Sequence, residues 1–364
     1  MYTEIVKIIE GGVIGDKEKV FNYAQVLADN LEKDGDASLS KKIRTLLTNK
    51  KTRMASLDDF STKPVDTESR MDMVDIFYPE TLTDEPVLKP FIEEEIDEFI
   101  KSYQNRDEIL RAGIEMINSL LLYGPPGCGK TTLARYISYR TGLPLVIVRL
   151  DGLVSSLLGS TSKNIRKIFN YASKRDCILL LDEFDVVAKL RNDSYELGEL
   201  KRVVNSLIQN IDNFNENSVL IAATNHHELL DPAIWRRFSK IINMDRPDKN
   251  EIMSLIKSYK EYLNSTVVNS KKKLKWLTDA FEGMSHADVK TVINNAIKKA
   301  IINKKESVNN CDILNEIYLY KNHRIVSENE FIKFLLQYGV THKEVNENFS
   351  YSLRKVREVS KLVE

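Results

Sequence analysis

The eight residues G-P-P-G-C-G-K-T, from Gly124 to Thr131, are of a type and spacing that hold phosphate. Phosphate oxygens need backbone N–H groups from a loop without side-chain obstruction, followed by a helix N-terminus with its partial positive charge. Gly124, Gly127 and Gly129 keep such a loop open, with Pro125, Pro126 and Cys128 between them and Thr132 opening the helical run beyond. Lys130 has the length and charge to reach β- and γ-phosphates, and the Thr131 hydroxyl is a hard ligand for Mg²⁺. Farther along, the apolar run C-I-L-L-L ends in Asp182–Glu183. A strand that delivers this acidic pair at its C-terminal end puts Asp182 near the metal and Glu183 near an attacking water. A module that only binds has no use for a carboxylate poised over water, so these residues point to ATP hydrolysis with ATP and Mg²⁺ as cofactors.

Two further groups have less obvious tasks. Asn225 closes the run L-I-A-A-T-N; its amide either holds the same water or γ-phosphate, or ends a turn. Arg236 and Arg237 stand side by side in L-D-P-A-I-W-R-R-F. Neighbours on a turn point in different directions, so one salt bridge does not occupy both. Either they serve surface solubility, or they reach a γ-phosphate across a subunit boundary, as an arginine finger does.

The elements that must position these groups are legible as period and run length. Apolar runs at 119–124, 143–151, 177–183, 218–225 and 240–245 have strand length, and helical segments separate the first four. Continuous apolar strands separated by helices imply a parallel sheet covered on both faces, an α/β fold. After residue 248 every periodic segment is helical. Near the start, Ile5, Ile8 and Ile9 share one helical face, and Val20, Tyr23, Ala24, Leu27 and Leu31 repeat at helical period behind Asp16. The resulting division is a helical unit at 1–50, a linker at 51–86, a large α/β domain at 87–247, a helical lid at 248–304 and a helical extension at 305–364.

Fifty-three basic and fifty-three acidic side chains cancel, so whole-chain charge favours neither nucleic acid nor an acidic membrane. No apolar run approaches the roughly 18 residues of a membrane span. Three cysteines without metal-ligand spacing, and a start without a signal peptide, imply a reducing, cytoplasmic setting. His226, His227, His323 and His342 show no ligand spacing, and zinc is not expected.

G-P-P-G-C-G-K-T, L-L-L-D-E-F-D, I-A-A-T-N and L-D-P-A-I-W-R-R-F, in this order, resemble an AAA ATPase of the AAA+ superfamily, closest to the katanin and spastin-like branch and related bacterial proteins. The resemblance covers roughly residues 90–300. It implies a five-stranded parallel sheet flanked by helices and followed by a helical lid, with further helical parts at both ends. It also implies Walker A at Gly124–Thr131, Walker B at Asp182 and Glu183, sensor 1 at Asn225, and arginine fingers at Arg236 and Arg237. The active form it implies is a homo-oligomeric, hexameric ring that remodels or translocates a protein client, or drives an effector such as a peptidase.

In such rings Leu157, Leu158 and Gly159 stand where a central pore loop grips the client. The competing reading places the two leucines in a helix core. The lid motif reads G-M-S-H-A-D, with His286 where the family carries glycine. That side chain either narrows the adenine pocket or points into solvent; solvent is the reading adopted. The tail resembles a helix-turn-helix spacing in which Lys343, Arg354, Lys355 and Arg357 would meet phosphates. An ATP-switched, DNA-associated regulator is therefore the alternative function.

Overall fold

The fold is given by a computed structural model that describes residues 2–14, 17–33, 39–44, 63–65, 72–79, 85–150, 158–185, 197–214, 218–230 and 232–362. Its centre is a sheet of six strands in the order β1-β3-β4-β5-β2-β6. These are β1 (Asp75–Phe77), β2 (Ser119–Tyr123), β3 (Leu145–Arg149), β4 (Ile178–Asp182), β5 (Val219–Thr224) and β6 (Lys240–Asn243). The five expected strands are all present and parallel to one another. The sixth, β1, lies within the segment read as linker and adds antiparallel to the β3 edge, with Ile76 opposite Val146. Three residues suffice there because the ladder is made by backbone groups that β3 leaves open on that side.

Alternate side chains of each strand go to opposite faces. Leu120 and Leu122 join one core with α3 (Pro90–Gln104) and α4 (Lys130–Thr141). Leu121, Leu179 and Leu181 join the other with α5 (Leu158–Ala172) and α6 (Leu197–Asp212). Both faces are thus dry, which is why the strands read as unbroken apolar runs.

Beyond β6 the chain is helical: α7 (Lys249–Ser258), α8 (Lys271–Phe281), α9 (His286–Ile302), α10 (Asn310–Asn322), α11 (Glu328–Gln337), α12 (His342–Phe349) and α13 (Leu353–Ser360). Capping boxes begin α7, α9, α10 and α12, at Asp248, Ser285, Asn309 and Thr341. One apolar core runs through these helices and the short helix Ser265–Asn269 between α7 and α8, from Ile252 to Val359, without a break at residue 305. At the other end α1 (Tyr2–Ile14) and α2 (Lys17–Lys33) pack against each other.

Candidate active site

The C-terminal ends of the parallel strands converge on one cavity of about 390 Å³. The loop from β2 to α4 forms its floor. Gly124 has φ +143°, and a Cβ there would lie 2.1 Å from the Met244 carbonyl oxygen; the chain passes only because the side chain is a hydrogen. Lys130 folds back over the loop, and its Nζ donates to the carbonyls of Gly124 at 2.7 Å and Pro125 at 2.9 Å. Burial lowers the pKa of this ammonium, with Cys128, Asp182 and Asp185 opposing the shift. A phosphate arriving here meets a desolvated cation already aimed along the loop. Cys128 is buried beside it, and burial raises its thiol pKa.

The end of β4 supplies the acids. Asp182 Oδ2 accepts the Thr131 hydroxyl at 3.0 Å, while Oδ1 accepts the Glu183 N–H at 2.9 Å. A hydroxyl and a carboxylate at this separation form an all-oxygen donor pair of the sort Mg²⁺ takes, completed by water and phosphate oxygens. The metal would supply charge neutralisation for the transferring phosphoryl group. Glu183 has φ +56°, rare for a residue with a side chain, and it lines the cavity. This left-handed residue directly follows the buried strand, at the wall of the cavity. Asn225, at the end of β5, lines the same cavity.

The structure therefore brings Gly127, Cys128, Gly129, Lys130, Thr131, Thr132, Asp182, Glu183 and Asn225 together, with Pro126 at the rim. Arg236 and Arg237 do not line it; they border a separate groove with Asn118 and Phe214. Arg237 grips Asp212 through Nε at 2.7 Å and Nη2 at 3.1 Å, and donates to the Ala233 carbonyl. Arg236 is exposed and has no partner among the described residues. Leu157 lies outside the described residues; Leu158 and Gly159 open α5, and their side-chain surroundings lie outside the description as well.

The upper wall comes from Pro86, Val87 and Leu88 before α3, Leu255 of α7, and the start of α9. The Ala287 N–H donates to the Gly127 carbonyl at 3.0 Å, seating the lid on the loop. This contact overturns the solvent reading of His286. With the first turn of α9 pressed onto the loop, the imidazole turns inward, its side chain 13% exposed, with Nε2 3.8 Å from Glu251. That separation exceeds a hydrogen bond.

Sequence reasoning passed over two contributors. Asp185, in the same D-E-F-D run, is buried with Oδ1 3.4 Å from the Thr224 hydroxyl and 3.5 Å from the Asn225 N–H. Its place three residues past Asp182 was a usable signal. Asp212 as the holder of Arg237 left no local signal, because it lies on another helix.

A parallel sheet with a glycine loop leading from β2 into a helix, and an acidic pair at the end of β4 with β5 between the two strands, define a P-loop nucleoside triphosphatase. Residues 120–246 match the ATPase family associated with various cellular activities (AAA). The chain is 37% identical over 299 residues to an uncharacterized AAA family ATPase, y4kL, of Sinorhizobium fredii, spanning 82% of this chain and 89% of that one. The chain belongs to the AAA family of ATPases. It is 32% identical to the ATP-dependent zinc metalloprotease FtsH 2 of Bdellovibrio bacteriovorus over 65% of its own length, but spans only 40% of that protein. It is 34% identical to the proteasome-activating nucleotidase of Methanococcus maripaludis over 56% of its length and 51% of that relative. Among solved structures, the FIGL-1 AAA domain in complex with ADP superimposes with a TM-score of 0.55 at 17% identity, covering 78% of this chain and 94% of that domain. That likeness is one of fold.

Proposed function

We propose that ATP and Mg²⁺ bind in the 390 Å³ cavity and that the chain works as a hexameric ring which remodels or translocates a protein client, or drives an effector such as a peptidase. In this reading Lys130 and the loop N–H groups hold the phosphates, Thr131 and Asp182 the metal, and Glu183 and Asn225 the attacking water. The observation that carries it is Arg236, exposed, without a partner among the described residues, and on a groove distinct from its own phosphate cavity. A guanidinium placed this way is available to complete a neighbour's site, where such a finger supplies about 10³–10⁵ in rate.

The two partial relatives bear names tied to proteolysis, which favours a protein client. The chain itself contains neither H-E-x-x-H nor G-x-S-x-G, so cleavage falls to another component. A reducing cytoplasmic setting belongs to the same proposal and agrees with three buried, unpaired cysteines. Among the described residues no helix is long and apolar enough to cross a membrane.

The DNA reading loses ground in the tail. Lys343 lies 3.6 Å from Glu347, Arg354 contacts Glu358 at 3.0 Å, and Lys355 contacts Glu328. The test is a trap: tagged Glu183→Gln, expected to bind ATP and stall, is recovered from its host beside a Lys130→Ala control. A specific protein enriched over the control supports the remodelling reading. Nuclease-sensitive DNA in its place would reverse it.

A further inference from the structure

Tyr123, His227 and Trp235 come from three separate stretches and meet as a cluster of rings. Tyr123 ends β2, and the next residue is Gly124, the first of the phosphate loop. His227 begins the turn two residues past Asn225. Trp235 ends the short helix Pro232–Trp235 and directly precedes Arg236. The Tyr123 and His227 ring centres lie 4.6 Å apart, and Trp235 stands edge-on to both, at 5.5 Å from Tyr123 and 6.2 Å from His227.

The other side of the same turn is built alike. Phe238 is buried and stands edge-on to Phe184, the residue after Glu183, with ring centres 6.1 Å apart. The Arg236–Arg237 pair is therefore bracketed by two aromatic residues, each seated on a neighbour of the chain's own phosphate-site groups. Ile234 is buried below the turn, and Arg237 is tied down by Asp212 and Ala233.

We propose that Trp235 is a positioning residue: with His227 and Tyr123 it sets the stance of Arg236 and links that stance to the phosphate loop and the Asn225 turn of its own chain. The proposal rests on the reading of Arg236 as a group that serves a neighbouring subunit. Its physical basis is that a long, unpaired side chain delivers its charge only as accurately as its backbone is held. Edge-on aromatic pairs are favoured beyond the area they bury, which helps to select one arrangement of a short turn. A catalytic group misplaced by about 1 Å can lose about 10²-fold in rate. Because Tyr123 leads directly into Gly124, a shift of the phosphate loop would be passed to Arg236 through these packed rings.

The test is complementation between full-length subunits. Lys130→Ala subunits have a disabled site and an intact Arg236; Arg236→Ala subunits have the reverse. Mixed, they should recover turnover wherever the first serves the second. Donors carrying Lys130→Ala with Trp235→Ala should co-assemble yet restore about 10²-fold less, while donors with Lys130→Ala and Trp235→Phe, which keep an edge-on ring, should restore turnover. In homogeneous Trp235→Ala protein the loss should fall on kcat and leave KM for ATP unchanged. Equal restoration by the alanine donors would overturn the proposal. So would their failure to co-assemble, which would make Trp235 an assembly residue. Wild-type turnover by Arg236→Ala alone would remove the reading beneath, a result distinguishable from either.

Discussion

Gly127→Ala tests whether the lid is seated on the phosphate loop. Gly127 has φ +75°, and an added Cβ would lie 2.6 Å from Ser285 Oγ and 3.2 Å from the Cβ atoms of Ser285 and Ala287. A side chain in left-handed backbone costs about 1–2 kcal/mol by itself. The overlap adds to this, because the Ser285 hydroxyl cannot simply rotate away: it accepts the Asp288 N–H at 3.2 Å and caps α9. Displacing that cap costs about 1 kcal/mol. If the lid lifts instead, the bond from Ala287 N–H to Gly127 O is lost, about 0.5–1.5 kcal/mol. The control is Gly283→Ala, where φ is +84° but nothing lies within 4 Å of the new Cβ. It carries the backbone cost alone. The two variants should differ by about 1 kcal/mol, or about 2–4 °C in Tm at the usual sensitivity of domains this size. Thermal unfolding reads that difference, and titration with a fluorescent ATP analogue should show weaker binding for Gly127→Ala only, since His286, Ala287 and Lys290 form the wall that moves. Equal Tm values and equal affinities for the two variants would refute the seating of α9 on the loop.

On the proposed function, Lys130→Ala removes a cation that would exchange its hydrogen bonds to Gly124 and Pro125 for bonds to phosphate. Charged hydrogen bonds of about 1.5–3 kcal/mol correspond to a ten- to hundredfold rise in Kd for ATP, and an unchanged Kd would misplace the site. Asp212→Asn should leave Tm nearly unchanged, since the pair with Arg237 is partly exposed and such pairs contribute under about 1 kcal/mol. It should still lower kcat if Arg237 needs that orientation; wild-type turnover would make the pair a surface ornament. Burial pushes the Cys177 and Cys311 thiols up to about 12, against 9.0 for a free thiol. Their folded pKa is raised, so the stability they contribute is fully present below pH 9 and is lost as pH rises toward 12. At pH 8 a thiol reagent should label neither cysteine until denaturant is added, and immediate labelling of native protein would show that the helices and strands around them open.

What was legible in the sequence is what is local in the chain. The strands were readable because both faces of the sheet are covered, which leaves I-L-L-L and L-I-A-A as unbroken apolar runs. The phosphate loop was readable because all its groups lie within eight consecutive residues. Strand β1 was not, since three residues are too short a run to mark a strand and Asp75–Phe77 is completed by the open edge of β3. The direction of His286 was set by Gly127, far upstream, and Lys355 of α13 was answered by Glu328 at the start of α11. The two arginines show the limit most sharply. Side by side and chemically identical, they offered no ground for separate roles. A carboxylate at Asp212, at the end of α6, takes one and leaves the other exposed. What divides their surroundings is therefore a helix on another part of the fold, a convergence that no spacing within L-D-P-A-I-W-R-R-F encodes.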